Sequence, residues 1–502
     1  MELRDVGTLY LARRRRLLIS RSGPAAIVGA LLVAVLASLN FLVGLDRPAG
    51  AIWDESYYLT AAQRYRDHTA QFASHPPLGL MLIAAGDALM QADRSPADAA
   101  VLAGDKQIAG DKIPPGFRFS SMRVASGVFA VIGAVLFFAL MRLLAVQLVP
   151  ALLLSNLYVF DNALIVHFRA AHLDAFQMVF VLAALLCFVM SERRGARSSP
   201  WLELVMSGWI GLALMVKLNV APFVLLPVML VARRLWLQRD RYPPARKFVT
   251  AIRDLSVSAA GVLIACVAVF TLHIAISTNP PNGATPAGAK DAHFISPVYR
   301  EFLQDERSLS PAVVIAAARD YAHFMAADYA GMTRVDPNGS HPLEWLLNSK
   351  PITYRWDSDG TRTAYVELIG NPVGWAVGLM AVVAAIVLMT RRTRSPLILM
   401  LLVLYAVFMG VHLYLDAHRV LYLYHYFPAL VLSFCLVPLV LQEFARRWSR
   451  FQPHQHAVLA SIAAFALAMF WFLSPLTFHR PLTAGEYDAR SYFTPNANTE
   501  RE

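Results

Sequence analysis

Long apolar runs separated by short polar connections dominate the chain and set its architecture before any single residue does. Runs of roughly 17–25 apolar residues have the length of a bilayer-crossing helix. They predict spans near residues 24–45, 120–142, 146–166, 174–191, 202–216, 219–235, 254–277, 370–390, 396–415, 420–441 and 456–475, about 11 crossings in all. The fifth and sixth are short and are interrupted only at Lys217, Leu218 and Asn219. The expected fold class is an all-α polytopic membrane protein with two long loops, 46–119 and 278–369.

Basic residues orient these spans. With the N-terminal cluster Arg13, Arg14, Arg15 and Arg16 in the cytoplasm, the connections that fall inside carry Arg193, Arg194 and Arg197, then Arg233 through Lys247, then Arg391, Arg392 and Arg394, then Arg446, Arg447 and Arg450. Each is basic, as the positive-inside rule requires. The outer side receives the two long loops, short turns near Arg169 and His418, and the polar tail from Phe478. The first apolar run exceeds the ~7–15 residues of a signal-peptide core and reads as a retained anchor. The expected organisation is a cytoplasmic N-terminus (1–23), an N-terminal transmembrane catalytic module (24–277) containing the first outer loop, the second outer loop (278–369), a C-terminal four-helix region (370–475) and an outer tail (476–502).

Composition agrees: 57% of residues are hydrophobic and mean hydropathy is +0.48, which excludes an ordinary soluble fold. A net charge of +11 suggests nucleic acid as a partner in a soluble protein, but here the basic residues gather in the inner connections, so topology accounts for them and no nucleic-acid partner is expected. Cys187, Cys266 and Cys435 all lie inside apolar runs without metal-ligand spacing, and read as packing residues.

Candidate chemistry lies at the outer ends of the spans. Trp53-Asp54-Glu55-Ser56-Tyr57-Tyr58 places a carboxylate pair just beyond the first span. Ser74-His75-Pro76-Pro77-Leu78-Gly79 follows, where two prolines stiffen the backbone and remove two amide donors. Arg118 and Arg123 stand at the start of the second span, Arg169, His172 and Asp174 lie between the third and fourth, and His418 and Arg419 open a run through Tyr422, Tyr424, His425 and Tyr426. Snorkelling explains any one of these, but ionisable groups at membrane depth are costly and these share one side. A carboxylate near several cations suits transfer from a phosphate-linked donor: the carboxylate takes a proton from an incoming hydroxyl and the cations hold the leaving phosphate. Neither GxGxxG nor GxxxxGK[ST] occurs, and a donor dissolved in the membrane needs no such loop.

These residues, in this order, resemble the protein O-mannosyltransferases and their bacterial relatives, glycosyltransferases of the C-type fold that use a polyprenyl-phosphate sugar. The likeness begins at Asp54-Glu55 and His75-Pro76-Pro77-Leu78-Gly79 and continues through Met122-Arg123. Asp161-Asn162-Ala163 with Arg169 to Asp174 is similar to the family's "DN…SR…LLDS" stretch, and Lys217 to its lysine after Gly211-Leu212-Ala213. Further on come His341-Pro342, Trp345, Pro351, Tyr354, Gly370-Asn371-Pro372, Trp375 and Tyr424-His425-Tyr426-Phe427-Pro428-Ala429, the last similar to "YHYLPA". Two departures stand out. Leu80 replaces the family's lysine after the HPPLG turn, and the second loop, without a strand-and-turn pattern, is too short for the β-trefoil insert of eukaryotic members. A bacterial member fits.

The resemblance implies an inverting transfer of a sugar, most simply mannose, from a polyprenyl-phosphate donor to a hydroxyl, with Ser/Thr of exported proteins as the first acceptor and lipid A or another envelope glycolipid as the alternative. Asp54 is expected to be the general base. Glu55 either orients Asp54 or holds the acceptor, or is simply a carboxylate at a helix N-terminus. Arg123 is the first choice for the donor phosphate, with Arg118 a competitor; His75 positions its loop or contacts the donor. Arg169 and Asp174 are expected to pair as a brace near His172, and Arg419 and His425 to line the donor's way in, unless they belong to an interfacial belt. No cofactor is expected, since the lipid-linked sugar is a substrate, and no DxD metal site is implied. Besides donor and acceptor, the expected partners are membrane lipids, and the expected location is the bacterial cytoplasmic (inner) membrane with the site on the outside. A transporter predicts charges near span midpoints and repeated halves, neither of which the pattern shows.

Overall fold

The computed structural model describes residues 23–91, 93–332, 335–391 and 395–491. The basic cluster Arg13 to Arg16, together with Arg392, Arg394 and the end of the tail, lies outside those residues. Helix α1 (Gly23–Phe41) leads into the first long loop, which folds as α2 (Glu55–Arg66), α3 (Leu78–Leu89) and α4 (Pro96–Gly104). A bundle follows: α5 (Phe119–Ala145), α6 (Leu148–Val159), α7 (Asn162–Arg169), α8 (Asp174–Glu192), α9 (Pro200–Leu214), α10 (Leu225–Leu237) and α11 (Pro244–Ile276). The second long loop holds α12 (Pro286–Phe294), α13 (Pro297–Leu303), α14 (Pro311–Gly331), α15 (Pro342–Trp345), β1 (Ile352–Ser358) and β2 (Thr363–Leu368). Then come α16 (Pro372–Thr390), α17 (Pro396–Asp416), α18 (Phe427–Arg447) and α19 (Gln455–Thr477), and finally β3 (Pro481–Leu482) and α20 (Ala484–Ser491).

Proline opens most of these helices, including α9, α11, α14, α16 and α17. Its missing N–H and fixed φ suit the first turn, so these helices have a defined start. Among the described residues, 9 helices are long and apolar enough to cross a membrane. The expected third span is not one rod: α6 and α7 meet at a 59° bend. Asp161 causes the restart, its side chain accepting from Leu164 N at 3.0 Å as the cap of α7. The same carboxylate accepts from Asn371 N (3.1 Å) and Trp375 Nε1 (2.8 Å), tying the bend to α16 in the C-terminal half.

The interruption between the fifth and sixth spans is likewise built. Helix α9 ends at Leu214, Lys217 is extended, and a 3-10 turn containing Pro222 precedes α10. Gln177 of α8 donates to the freed Lys217 carbonyl at 2.8 Å, and Leu78 N donates to the Met215 carbonyl at 3.1 Å, so the HPPLG turn hangs on this break. Helices α9 and α11 pack so closely that a Cβ on Gly261 would stand 2.5 Å from the Leu204 carbonyl oxygen. Small residues allow that backbone approach where lipid supplies no hydrophobic drive. Outward residues such as Ile27, Leu263 and Phe465 are exposed and apolar, as a lipid-facing surface requires.

The second long loop corrects one expectation. It contains an antiparallel hairpin, β1 with β2, bulged between Thr353 and Arg355 and extended by β3 from the tail. The strands are short, and β1 turns from buried to exposed along its length, so the alternating pattern is too brief to stand out in sequence. The loop's helices bury their own small aromatic core, around Phe72, Tyr299, Tyr321 and Phe324, against the first loop.

Candidate active site

The site forms where the start of the first loop meets the α7–α8 turn and the break before α10. Trp53 has φ 50°, an uncommon backbone state for a bulky side chain, and α2 starts directly after it. The adjacent carboxylates of Asp54 and Glu55 take different surroundings. Glu55 is completely buried. Its Oε1 accepts from Arg123 Nε and Ala171 N, both at 2.7 Å, and its Oε2 from Arg123 Nη2 (2.7 Å) and Ile52 N (2.8 Å). Arg123 spends its other N–H groups on the carbonyls of Leu45, Pro48 and Gly50.

All 5 guanidinium donors are therefore engaged inside the protein. This corrects the assignment of Arg123 to the donor phosphate and of Glu55 to catalysis: the pair is a saturated brace that joins the first loop to α5 and to the α7–α8 turn. Arg118 is exposed at the start of α5, near Asp46, whose carboxyl is held low by the Ser120 hydroxyl, then by the Ser120 N–H at 3.0 Å, and less by Arg118.

Asp54, by contrast, is only partly covered. Protein surrounds its carboxyl closely enough that burial pushes it up to about 6, partly offset by the charge of Lys217. The Tyr58 and Tyr424 hydroxyls lie near enough to favour its ionised form. Lys217 lies with its Nζ 5.1 Å from the centre of the Tyr424 ring and 2.7 Å from Asp174 Oδ2. The same Asp174 oxygen takes His167 Nε2 at 2.7 Å, and His167 Nδ1 meets the Tyr354 hydroxyl of β1 at 2.8 Å.

The expected Arg169–Asp174 brace does not form. Arg169 donates to the Asn40 and Gly44 carbonyls at 2.8 and 3.0 Å and lies over the Phe478 ring, closing the end of α1 instead. The carbonyls freed at the end of α1 draw it there. His172 is buried in the α7–α8 turn, its Nε2 3.1 Å from the Ile52 carbonyl oxygen, and burial holds its imidazole well below the usual range. His75 flanks the Tyr58 ring. Burial, then the Lys217 charge, depress the His75 imidazole to about 3, so it is neutral at physiological pH. Its Nδ1 is buried without a protein partner, and its carbonyl accepts from Tyr321 of α14 at 2.8 Å.

Arg419 is partly exposed and stacked over Tyr329 of α14, with no carboxylate of the described residues in ion-pair distance. His425 is buried, its Nδ1 binding the Tyr422 backbone and its ring stacking on Tyr424, so it shapes the turn. Among the described residues, no group of three His, Cys, Asp or Glu is placed to hold a metal ion. The candidate residues read from sequence do not include Lys217, His167, Tyr58, Tyr354 or Tyr424, although Lys217 stands out as the break between two apolar runs. A histidine inside Leu164-Ile165-Val166-His167-Phe168 is an ionisable group at membrane depth, and that signal was available.

The fold and site together define a polytopic membrane protein of the C-type glycosyltransferase class. The family described as dolichyl-phosphate-mannose-protein mannosyltransferase matches residues 31–279, and the C-terminal four-transmembrane region of protein O-mannosyltransferase matches residues 320–495. The chain belongs to the protein O-mannosyltransferase family and is a glycosyltransferase of that type. Among solved structures it is similar to the S. cerevisiae protein O-mannosyltransferase complex bound to the sugar donor, with 15% identity and a TM-score of 0.76 over 93% of this chain and 92% of that one. An oligosaccharyltransferase from Archaeoglobus fulgidus, in the apo form, aligns at 13% identity and a TM-score of 0.46 over 95% of this chain and 58% of that one.

Proposed function

We propose that this protein transfers mannose, with inversion, from a polyprenyl-phosphate carrier to Ser/Thr hydroxyls of exported proteins, at the outer face of a bacterial cytoplasmic membrane. The observation that carries the reading is Asp54: the partly exposed member of the Asp54–Glu55 pair, its carboxyl raised toward the working range of a general base and with a lysine close by. Asp54 takes the proton of the acceptor hydroxyl as its oxygen attacks the anomeric carbon. The carrier phosphate leaves from the opposite face, and the charge it gains is met by Lys217 and by the partly exposed Arg419. Lys217 thus replaces Arg123 in the phosphate role. His75 Nδ1 is left open for a hydrogen bond to substrate.

The family description names a mannosyl donor and a protein acceptor, and the yeast relative is bound to a sugar donor. The basic inner connections support the outward placement, since the site lies at the opposite ends of the spans. The test is purified protein incubated with polyprenyl-phosphate mannose and a Ser/Thr-rich peptide. Mannosyl peptide with wild type and none with Asp54→Asn is the expected result. Transfer to a lipid A precursor but not to peptide overturns the acceptor assignment.

A further inference from the structure

Two buried imidazoles, His167 and His172, touch neither the proposed base nor an open surface, and their geometry gives them a task. His172 Nε2 faces the Ile52 carbonyl oxygen at 3.1 Å, an acceptor only, so that nitrogen carries the proton and Nδ1 of the neutral ring accepts. This Nδ1 lies 3.2 Å from His167 Nδ1, which also meets the Tyr354 hydroxyl at 2.8 Å. The neutral His167 ring therefore accepts at Nδ1 from the Tyr354 hydroxyl, while His172, whose Nδ1 is also an acceptor, holds it by ring packing with centroids 4.3 Å apart. Its other edge presents Nε2 to Asp174 Oδ2 at 2.7 Å, again an acceptor, so Nε2 keeps its proton whatever Nδ1 carries.

Asp174 Oδ2 is thus shared between His167 and Lys217, each at 2.7 Å. Lysine is a point charge on a flexible four-carbon stem, and here it springs from a helix break rather than from a helix. A carboxylate shared with a second donor fixes where that charge sits while binding it less exclusively than an unshared one. Tyr354 comes from β1, so the chain of contacts is complete only when the second long loop is seated on the bundle.

We propose that His167, hydrogen-bonded by Tyr354 and packed against the His172 ring, is a positioning residue that orients Asp174 and through it aims Lys217 at the donor phosphate. The proposal rests on the phosphate role given to Lys217 above. It makes seating of the second loop a condition for tight donor binding, because the hairpin supplies the hydrogen bond to Nδ1.

The test measures donor kcat/KM and peptide KM for the purified full chain with polyprenyl-phosphate mannose. Lys217→Ala is expected to lower donor kcat/KM about 10- to 100-fold, the range for a lost charge-assisted contact. His167→Leu is expected to lower it about 10-fold with peptide KM unchanged. His167→Gln, whose amide can replace the Nε2 donor to Asp174, is expected to recover most of that loss. The His167→Leu/Lys217→Ala double variant is expected to be no worse than Lys217→Ala, because both changes act on one interaction. Tyr354→Phe removes one hydroxyl, leaves the ring packing, and is expected to cost about 3-fold, an arm that stands if His167→Leu does not fold. Unchanged kinetics in Tyr354→Phe, additive losses in the double variant, or no recovery by glutamine overturn the inference and leave the phosphate reading standing. No effect of Lys217→Ala overturns both.

Discussion

Exchanging each member of the Asp54–Glu55 pair for its amide separates catalysis from architecture at two neighbouring positions. Asp54→Asn removes the base and keeps the shape, so transfer is expected to fall by about 10²–10⁴. Its effect on stability has the opposite sign. Burial raises the folded-state carboxyl from 3.8 to about 6, so the folded form favours the proton. That contribution to stability is present at low pH and lost as pH rises through about 6, where the ionised group opposes folding. The upper bound on this opposition at pH 7 is ~3 kcal/mol, and screening at the partly exposed Asp54 reduces it to ~1 kcal/mol. Asp54→Asn should therefore be as stable as wild type or slightly more so.

Glu55→Gln replaces one of two acceptor oxygens, each taking two hydrogen bonds, and leaves Arg123 buried without a counter-charge. Breaking such a pair costs about 3–5 kcal/mol. With an unfolding entropy of about 2.1 cal/mol/K per residue over 502 residues, that is a Tm loss of about 3–5 degrees. Thermal unfolding in detergent and transfer per folded molecule are the paired measurements. Glu55→Gln that unfolds with wild type yet transfers nothing, or Asp54→Asn that transfers normally, refutes the division of roles.

Three further outcomes follow from the same geometry. Below about pH 6 the Asp54 carboxylate takes up its proton, so donor-saturated transfer should fall about tenfold per pH unit on the acid side, and a profile flat to pH 4.5 excludes Asp54 as the base. Arg123→Lys offers three donors where five are used, and should cost about 2–3 kcal/mol in unfolding while the folded fraction keeps its donor KM; a raised donor KM returns Arg123 to the phosphate. Leu80→Lys, which restores the family's residue after the HPPLG turn, should lower stability rather than raise activity, because Leu80 is 1% exposed in the main apolar core and an unpaired ammonium there costs several kcal/mol; higher activity at unchanged Tm refutes that placement.

Much of the architecture is decided along the chain. Bilayer-length apolar runs, prolines at helix starts and basic inner connections act over a span or a turn, and each can be read without knowing its neighbours in space. The same holds for the neighbourhood of the site: Asp54, His75, Asp174 and Lys217 were legible as charged or polar groups at the breaks between apolar runs. What each does depends on partners brought in from other elements, 68 residues away for Arg123 and Glu55, 43 for Lys217 and Asp174 and 129 for Arg169 and Asn40. Arg123 is spent on Glu55 and three carbonyls, Arg169 turns to the end of α1, and Asp174 pairs with Lys217 and His167 instead. A buried cation goes to whichever acceptors the packing leaves unsatisfied, because an unmet charge or carbonyl in a low-dielectric interior costs more than any local preference returns. The positions of the charges are therefore a property of the sequence, and which charge faces substrate is a property of the packed bundle.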